Sequence, residues 1–173
     1  MDLLYVRIVE PKDWKAIQAI WIDQAKSRYA QYIKPRPLDN LSVFKEVQHW
    51  VEMEDSLEQI HLVVCSPKTV IGHLSFFRRE NGSEIGYFFH SAHRGKEYVK
   101  ESIKYILGIM KENGESHVIT HTALKNTPSV KMLLSLGYKQ TGTKQVSFYK
   151  DNEGKDIYFD EGIFELDLKE TNY

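Results

Sequence analysis

Residues 84–123 impose a chain path before the rest of the sequence is considered. EIGYFFH (84–90) is short, rich in aromatic residues and reads as a strand. A polar loop follows. Then Val99, Ile103, Ile106, Leu107 and Met110 recur at helical spacing between Lys96 and Glu112, and Asn113-Gly114 supplies a stop. HVITHTA (117–123) is β-branched again. A strand, a helix and a strand joined this closely form a right-handed crossover, which lays the two strands parallel and puts the helix on one face of the sheet.

The strands before and after this unit are joined by turns or helices. HLVVC (61–65) turns at SPKT into VIGHLSFF (70–77), which turns at ENGS into EIGYFFH, with Asn81-Gly82 as the hairpin signal. LLYVRIV (3–9) reads as a first strand. A helix starting near Pro11 carries Trp14, Ile17, Ile20 and Trp21 on one face, and a second over 41–53 is expected to turn Leu41, Phe44, Val47 and Val51 inward. Between these helices SRYAQYIKPRPLDN (27–40) is polar, and Pro35 and Pro37 exclude a continuous helix. NTPSVKMLLSLGY gives a short helix with Thr127 as cap, Pro128 as first helical residue and a stop at Gly137. YKQTGTKQVSFYK (138–150) and KDIYFDEGIFELDL (155–168) close the chain as long strands around DNEG. The order βααβββαβαββ predicts a single α/β (α+β) domain over residues 1–173, with about seven strands in a mostly antiparallel sheet and about four helices.

Composition excludes several function classes. The 173 residues are 42% hydrophobic and 27% charged, in the range of an ordinary globular domain. Twenty-three Lys and Arg against 24 Asp and Glu give no global charge for nucleic acid. Asp2 and Arg7 interrupt the apolar N-terminal stretch, and YILGIM is too short to cross a bilayer, so neither a signal peptide nor a membrane span is expected. Cys65 is the only cysteine; it excludes an internal disulfide, fits a reducing cytoplasm and reads as a small apolar strand residue. The seven histidines invite a metal, but His117 and His121 in a strand lie about 13 Å apart. His90 and His93 lack an evident third ligand, so no metal is expected. Neither Ser91 nor Ser102 sits in a G-x-S-x-G elbow.

HSAHRGKEYVKESI (90–103) has the shape of an anion cradle: strand end, polar loop, helix N-terminus. Arg94, Lys96 and Lys100 against Glu97 leave a formal +2, and Gly95 permits close backbone approach. An ordinary helix start with mixed charges carries the same signature. The loop is not a Walker A motif, since Lys96 is followed by Glu97. A carboxylate about 5 Å from a phosphate, at an effective dielectric of about 20, repels it by roughly 3 kcal/mol, and by under ~1 kcal/mol when well hydrated.

Three stretches in order, EIGYFFHSAHRGKEYVKESI, NTPSVKMLLSLGY and GKDIYFDEGIFELDL, resemble the GNAT superfamily of acyl-CoA-dependent N-acetyltransferases. Within it they are most similar to the RimJ/RimL-type branch, which acetylates protein N-termini. The resemblance spans essentially the whole chain and is sharp from Ile71 onward. It implies that strands 84–90 and 117–123 splay to form an acetyl-CoA cleft. The family's pyrophosphate loop reads (Q/R)-x-x-G-x-(G/A). Here Arg94 fills the first position while Glu97 and Val99 stand at the two small-residue positions, with Gly95, Lys96 and Tyr98 between them.

By the same resemblance, backbone N–H groups of Phe88, Phe89 and His90 hold the pantetheine arm and the thioester carbonyl, and Asn126 binds the arm. Many members carry a tyrosine as proton donor where this chain has Leu133. In the RimJ/RimL-type branch a serine at the position of Ser129 is the proposed donor; a helix-capping serine is the other reading. Glu84 is placed to accept the amine proton through water, or is a solvent-facing strand residue, with His90 and His73 as alternative bases. Tyr29 and Tyr32, with Arg28, Lys34 and Arg36 around them, fall in the region of acceptor recognition, as does the loop DNEGK.

The implied function is transfer of the acetyl group of acetyl-CoA to a primary amine, on a small molecule or a peptide N-terminus, by direct attack in a ternary complex. The protein is then cytoplasmic, uses acetyl-CoA as co-substrate and no metal, engages neither nucleic acid nor membrane, and is compatible with a homodimer. The alternatives are a catalytically weak or inactive CoA-binding module acting through a partner, and a structural domain without nucleotide.

Overall fold

In the computed structural model, which describes residues 4–53, 58–93 and 97–173, the chain forms seven strands in one sheet. They are β1 (Tyr5–Ile8), β2 (Gln59–Cys65), β3 (Val70–Arg79), β4 (Gly82–Phe89), β5 (His117–Ala123), β6 (Lys139–Lys150) and β7 (Asp156–Asp167). The helices are α1 (Trp14–Ala25), α2 (Asn40–Glu52), α3 (Tyr98–Glu112) and α4 (Thr127–Ser135). The chain order is the one the hydrophobic periods predict, and the sheet order is β1-β2-β3-β4-β5-β7-β6. β4 and β5, joined by α3, are the parallel pair; all other neighbours are antiparallel.

That parallel pair is the feature on which the site depends. Its ladder registers only Ser83 with Val118 and Glu84 with Ile119. Beyond it the strands separate, and the Ile85 carbonyl is met by the Thr120 side chain, whose Oγ1 donates to it at 2.8 Å. Gly82 sets where the ladder begins. The hairpin turns on Glu80 and Asn81, one residue earlier than the Asn81-Gly82 reading, and Gly82 pairs with Arg79 at φ 133°. A Cβ there would stand 2.8 Å from the His117 carbonyl oxygen, so only glycine lets the start of β5 close against β4.

Two cores cover the two faces. α3 and α4 bury Ile103, Leu107 and Leu133, with Leu136 just past α4, against Ile85, Phe89, Val118 and Phe164 of the sheet. α1 and α2 bury Ile17, Ile20, Trp21, Val43, Val47 and Trp50 with Val63 and Cys65. The inward stripe of α2 is therefore Val43–Val47–Trp50. Leu41 and Phe44, expected inward, are exposed at 62% and 40%. The cause is helical phase: Trp50 stacks on His61 (3.9 Å, 3°) and meets Trp21 edge-on, and that anchor rotates the 41/44 side outward. Val51 packs at the margin of this core.

Candidate functional site

The gap between β4 and β5 opens into a cleft of about 730 Å³, within the size range of small-molecule sites. One wall is β4 from Gly86 to Phe89, the other is β5 from Thr120 to Ala123. The N-terminus of α3 and the start of α4 close one side, and the segment between α1 and α2 crosses the other.

The end of β4 is pinned by α1. Gln24 Nε2 donates to the Phe89 carbonyl at 2.9 Å, and the Ser91 N–H donates to the Asp23 carboxylate at 2.8 Å. The His90 N–H donates to the Ile71 carbonyl at 3.1 Å. N–H groups alternate in direction along an antiparallel strand, so the Phe88 N–H also faces β3 while the Phe89 N–H faces the gap. Of the three strand-end donors named from the sequence, Phe89 is the one whose direction suits a ligand between the strands. Phe88 and Phe89 line the cleft. The His90 ring instead accepts from the Ala92 N–H through Nδ1 at 3.2 Å.

Glu97 is the N-cap residue of α3, makes no side-chain cap and lines the cleft together with Val99 and Lys100. Tyr98 lies beside them, packed against the core, and its carbonyl accepts from Ser102 Oγ at 2.7 Å. Arg94, Gly95 and Lys96 lie outside the described residues. The head of α3 fits an anionic ligand through its helix N-terminus and Lys100, against the charge of Glu97.

Across the cleft, α4 is capped by Asn126 rather than by Thr127, because the Asn126 side-chain oxygen accepts from the Ser129 N–H at 3.5 Å and Thr127 is already helical. Its stop at Gly137 stands as expected: Gly137 has φ 90°, with the Tyr138 N–H returning to Leu133. Leu133 is buried in the core and carries no polar group to the site. Ser129 does. Its hydroxyl lies 2.8 Å from the Tyr87 hydroxyl and accepts from Thr122 Oγ1 at 3.1 Å. Burial pushes the Tyr87 phenol up to about 12, so it is protonated at neutral pH. Ser129 thus sits in a chain of hydroxyls that includes two residues the sequence reading passed over. Period-two alternation in EIGYFF, which puts Tyr87 on the same face as the buried Phe89, was the available signal for one of them.

A second missed group is Glu161 on β7. It lines the cleft opposite Ala123, with His121 Nδ1 at 3.4 Å and Lys144 Nζ at 3.1 Å. The hydrogen bond from His121, opposed by desolvation and aided by Lys144, lowers its pKa, so Glu161 is a carboxylate at neutral pH. Glu84, the acid named from the sequence, is held by Arg79 at 3.1 Å at the paired end of the β4–β5 ladder and does not line the cleft. His73 is fully buried on the α1/α2 side, 3.0 Å from His61 Nδ1 and stacked on Trp50, away from the gap. Tyr29 and Tyr32 both line the cleft, Tyr29 under Arg28 and Tyr32 edge-on to Phe159.

The chain and its fold have similar counterparts among known proteins. The uncharacterized N-acetyltransferase YnaD of Bacillus subtilis (strain 168) is 26% identical over 161 residues, covering 90% of this chain and 91% of that protein. The crystal structure of a ribosomal-protein-S5-alanine acetyltransferase from Vibrio fischeri superposes with a TM-score of 0.80 at 17% identity, over 98% of this chain and 96% of that one. YncA from Salmonella typhimurium, solved with its cofactor acetyl-CoA, superposes with a TM-score of 0.72 at 19% identity, over 98% and 96% of the two chains. Residues 3–139 match the acetyltransferase (GNAT) domain family, and with that match spanning most of its length the chain belongs to the GNAT acetyltransferases.

Proposed function

We propose that the protein transfers the acetyl group of acetyl-CoA to a primary amine by direct attack, with both substrates bound together and no covalent enzyme intermediate. One observation carries this reading: across a single cleft, Ser129 in its hydroxyl chain stands on one wall and the anionic Glu161 on another. The chemistry exchanges a C–S bond for a C–N bond. It needs a proton taken from the amine and a proton given to the departing thiolate.

Acetyl-CoA supplies the activated acetyl thioester. The chain holds it through the Phe89 N–H in the gap, Asn126 at the head of α4, and the N-terminus of α3 with Lys100. Glu161, paired with His121, takes the amine proton directly or through one water, a role its cleft position supports better than that of Glu84. Ser129 gives its proton to the thiolate and regains one through Tyr87 or Thr122. Direct attack asks little else of the protein than position, and the pinned end of β4 supplies it.

The RimJ/RimL-type assignment is supported by the likeness in fold to the S5-alanine acetyltransferase and by a serine at position 129. On that assignment the protein works in the cytoplasm, and an acceptor presenting a free N-terminal amine is in reach of Tyr29 and Tyr32. Among the described residues no helix is long and apolar enough to cross a membrane. A second reading, a CoA-binding module without turnover, has Glu97 in its favour.

Calorimetry with acetyl-CoA, followed by thiol release across peptide N-termini, amino acids, polyamines and aminoglycosides, decides between the readings. Binding with release on at least one amine is the expected result. Binding without release on any amine leaves the non-catalytic module, and no binding at millimolar acetyl-CoA defeats both.

A further inference from the structure

The cleft has a side pocket of about 190 Å³ beneath the segment joining α1 and α2. Gln24, Ile33, Lys34, Arg36 and Phe88 line both spaces, so the two adjoin. Its volume equals that of roughly six liquid waters, at about 30 Å³ each, which suits a small substituent and not a second cofactor. Its walls include Trp21, Tyr149 and Leu38.

Arg36 is the unusual member. Its guanidinium carbon lies 4.7 Å from the Trp21 ring centroid and 4.9 Å from that of Phe88. Aromatic rings supply no ordinary hydrogen-bond acceptor for the five guanidinium N–H donors. Among the described residues Arg36 has no ion pair and no hydrogen bond, and Glu46 reaches it only through its field. Trp21 is 2% exposed, and its Nε1 has no hydrogen-bond partner among the described residues. A half-buried cation with no protein acceptor among the described residues thus lines both the pocket and the cleft. Pro35 and Pro37 fix the backbone on either side of Arg36, which lowers the cost of holding that geometry for a ligand. A planar oxyanion satisfies an arginine edge with two parallel hydrogen bonds.

We propose that the acceptor amine carries a carboxylate, and that the pocket lined by Arg36 and Trp21 receives it. The inference rests on the N-acetyltransferase reading and names the substrate class for that site. The opposite charges on two walls suit a zwitterion: Glu161 faces its amine and Arg36 its carboxylate. Lys34 adds a second cation at the junction, so a polyamine is disfavoured. The carboxylate is either the α-carboxylate of a free amino acid or an acidic side chain near a peptide N-terminus.

The experiment compares kcat/KM at saturating acetyl-CoA for free amino acids, the matching amino-acid amides, peptide amides beginning with an acidic or a neutral residue, and spermidine. The wild-type protein is expected to favour the carboxylate-bearing member of a matched pair by at least about tenfold, the low end for a charge-assisted hydrogen bond. In Arg36→Gln that ratio falls towards one; Arg36→Lys, which keeps the charge without the planar fork, lies between. Preference for free amino acids identifies the α-carboxylate, and preference for acidic peptides the side chain; either supports the inference. Equal use of carboxylates and amides, or preference for spermidine, overturns it while leaving the enzyme reading intact. Thiol release from no amine at all removes both. Should Arg36→Gln melt at a much lower temperature than the wild type, the wild-type ratio and the Lys variant decide.

Discussion

The hydroxyls of Tyr87 on β4 and Ser129 on α4 lie 2.8 Å apart, a contact spanning the gap where β4 and β5 separate. It ties β4 to the head of α4 through a pair of hydroxyls. Ser129→Ala removes the hydroxyl yet leaves the backbone N–H bonded to Asn126, so the helix cap survives. General acids contribute about 10²–10⁴-fold, and kcat for thiol release is expected to fall by about 10²-fold with a smaller change in KM for acetyl-CoA. Tyr87→Phe is expected to give a lesser loss, since Thr122 still reaches Ser129. Unchanged turnover in Ser129→Ala would assign the proton donor elsewhere.

Glu161 is held ionised by His121 and by Lys144. Lys144→Met removes one of these influences, so the carboxylate titrates at higher pH. The acidic limb of the kcat/KM profile is then expected to move to higher pH, because Glu161 must be unprotonated to take the amine proton. Glu161→Gln is expected to flatten that limb and lower kcat/KM by about 10²-fold. A profile unmoved in both variants would assign the proton acceptor elsewhere.

Glu97 is exposed at the head of α3 and lines the cleft. In Glu97→Gln the dissociation constant for acetyl-CoA is expected to fall by a few-fold, the gain shrinking as salt rises, since a hydrated charge is screened over about 10 Å at 0.1 M. Calorimetry at two salt concentrations checks it. Equal or weaker affinity would turn the carboxylate away from the phosphates.

His61 and His73 form a buried pair against Trp50. Burial lowers His61 to about 3 and His73 well below its ordinary value, with Arg36 adding to both. The folded protein therefore binds fewer protons than the unfolded chain between about pH 6.5 and about 3. The stability this pair contributes is fully present above about 6.5 and is lost as pH falls through that window. Melting temperature is expected to drop steadily across it, and less steeply in His61→Gln. Parallel slopes would place the acid sensitivity in other groups.

Helices, strands and their order were legible because the signals are local. Pro128 near the start of α4, Gly137 after its end and the five apolar positions of α3 each act within a turn or two of chain. The crossover then leaves β4 and β5 little choice but to lie parallel. Where local signals competed, the reading slipped: Leu41 and Phe44 are as apolar as Val43 and Val47, and only the Trp50 stack on His61 selects the helix phase.

The sequence by itself determined the scaffold, and it singled out Asn126 and Ser129, which the fold places on the cleft wall. Tertiary structure alone decided which groups meet there. Glu161 faces the cleft because β5 and β7 pair Ala123 with Glu161, a register between segments far apart in the chain. Arg36 acquires its meaning only when folding stacks it on Trp21 and Phe88 from two other elements. Hydrophobic period is set by neighbours along the chain, whereas the partner of a charge or hydroxyl is set by long-range register, and a single sequence carries the first far more plainly than the second.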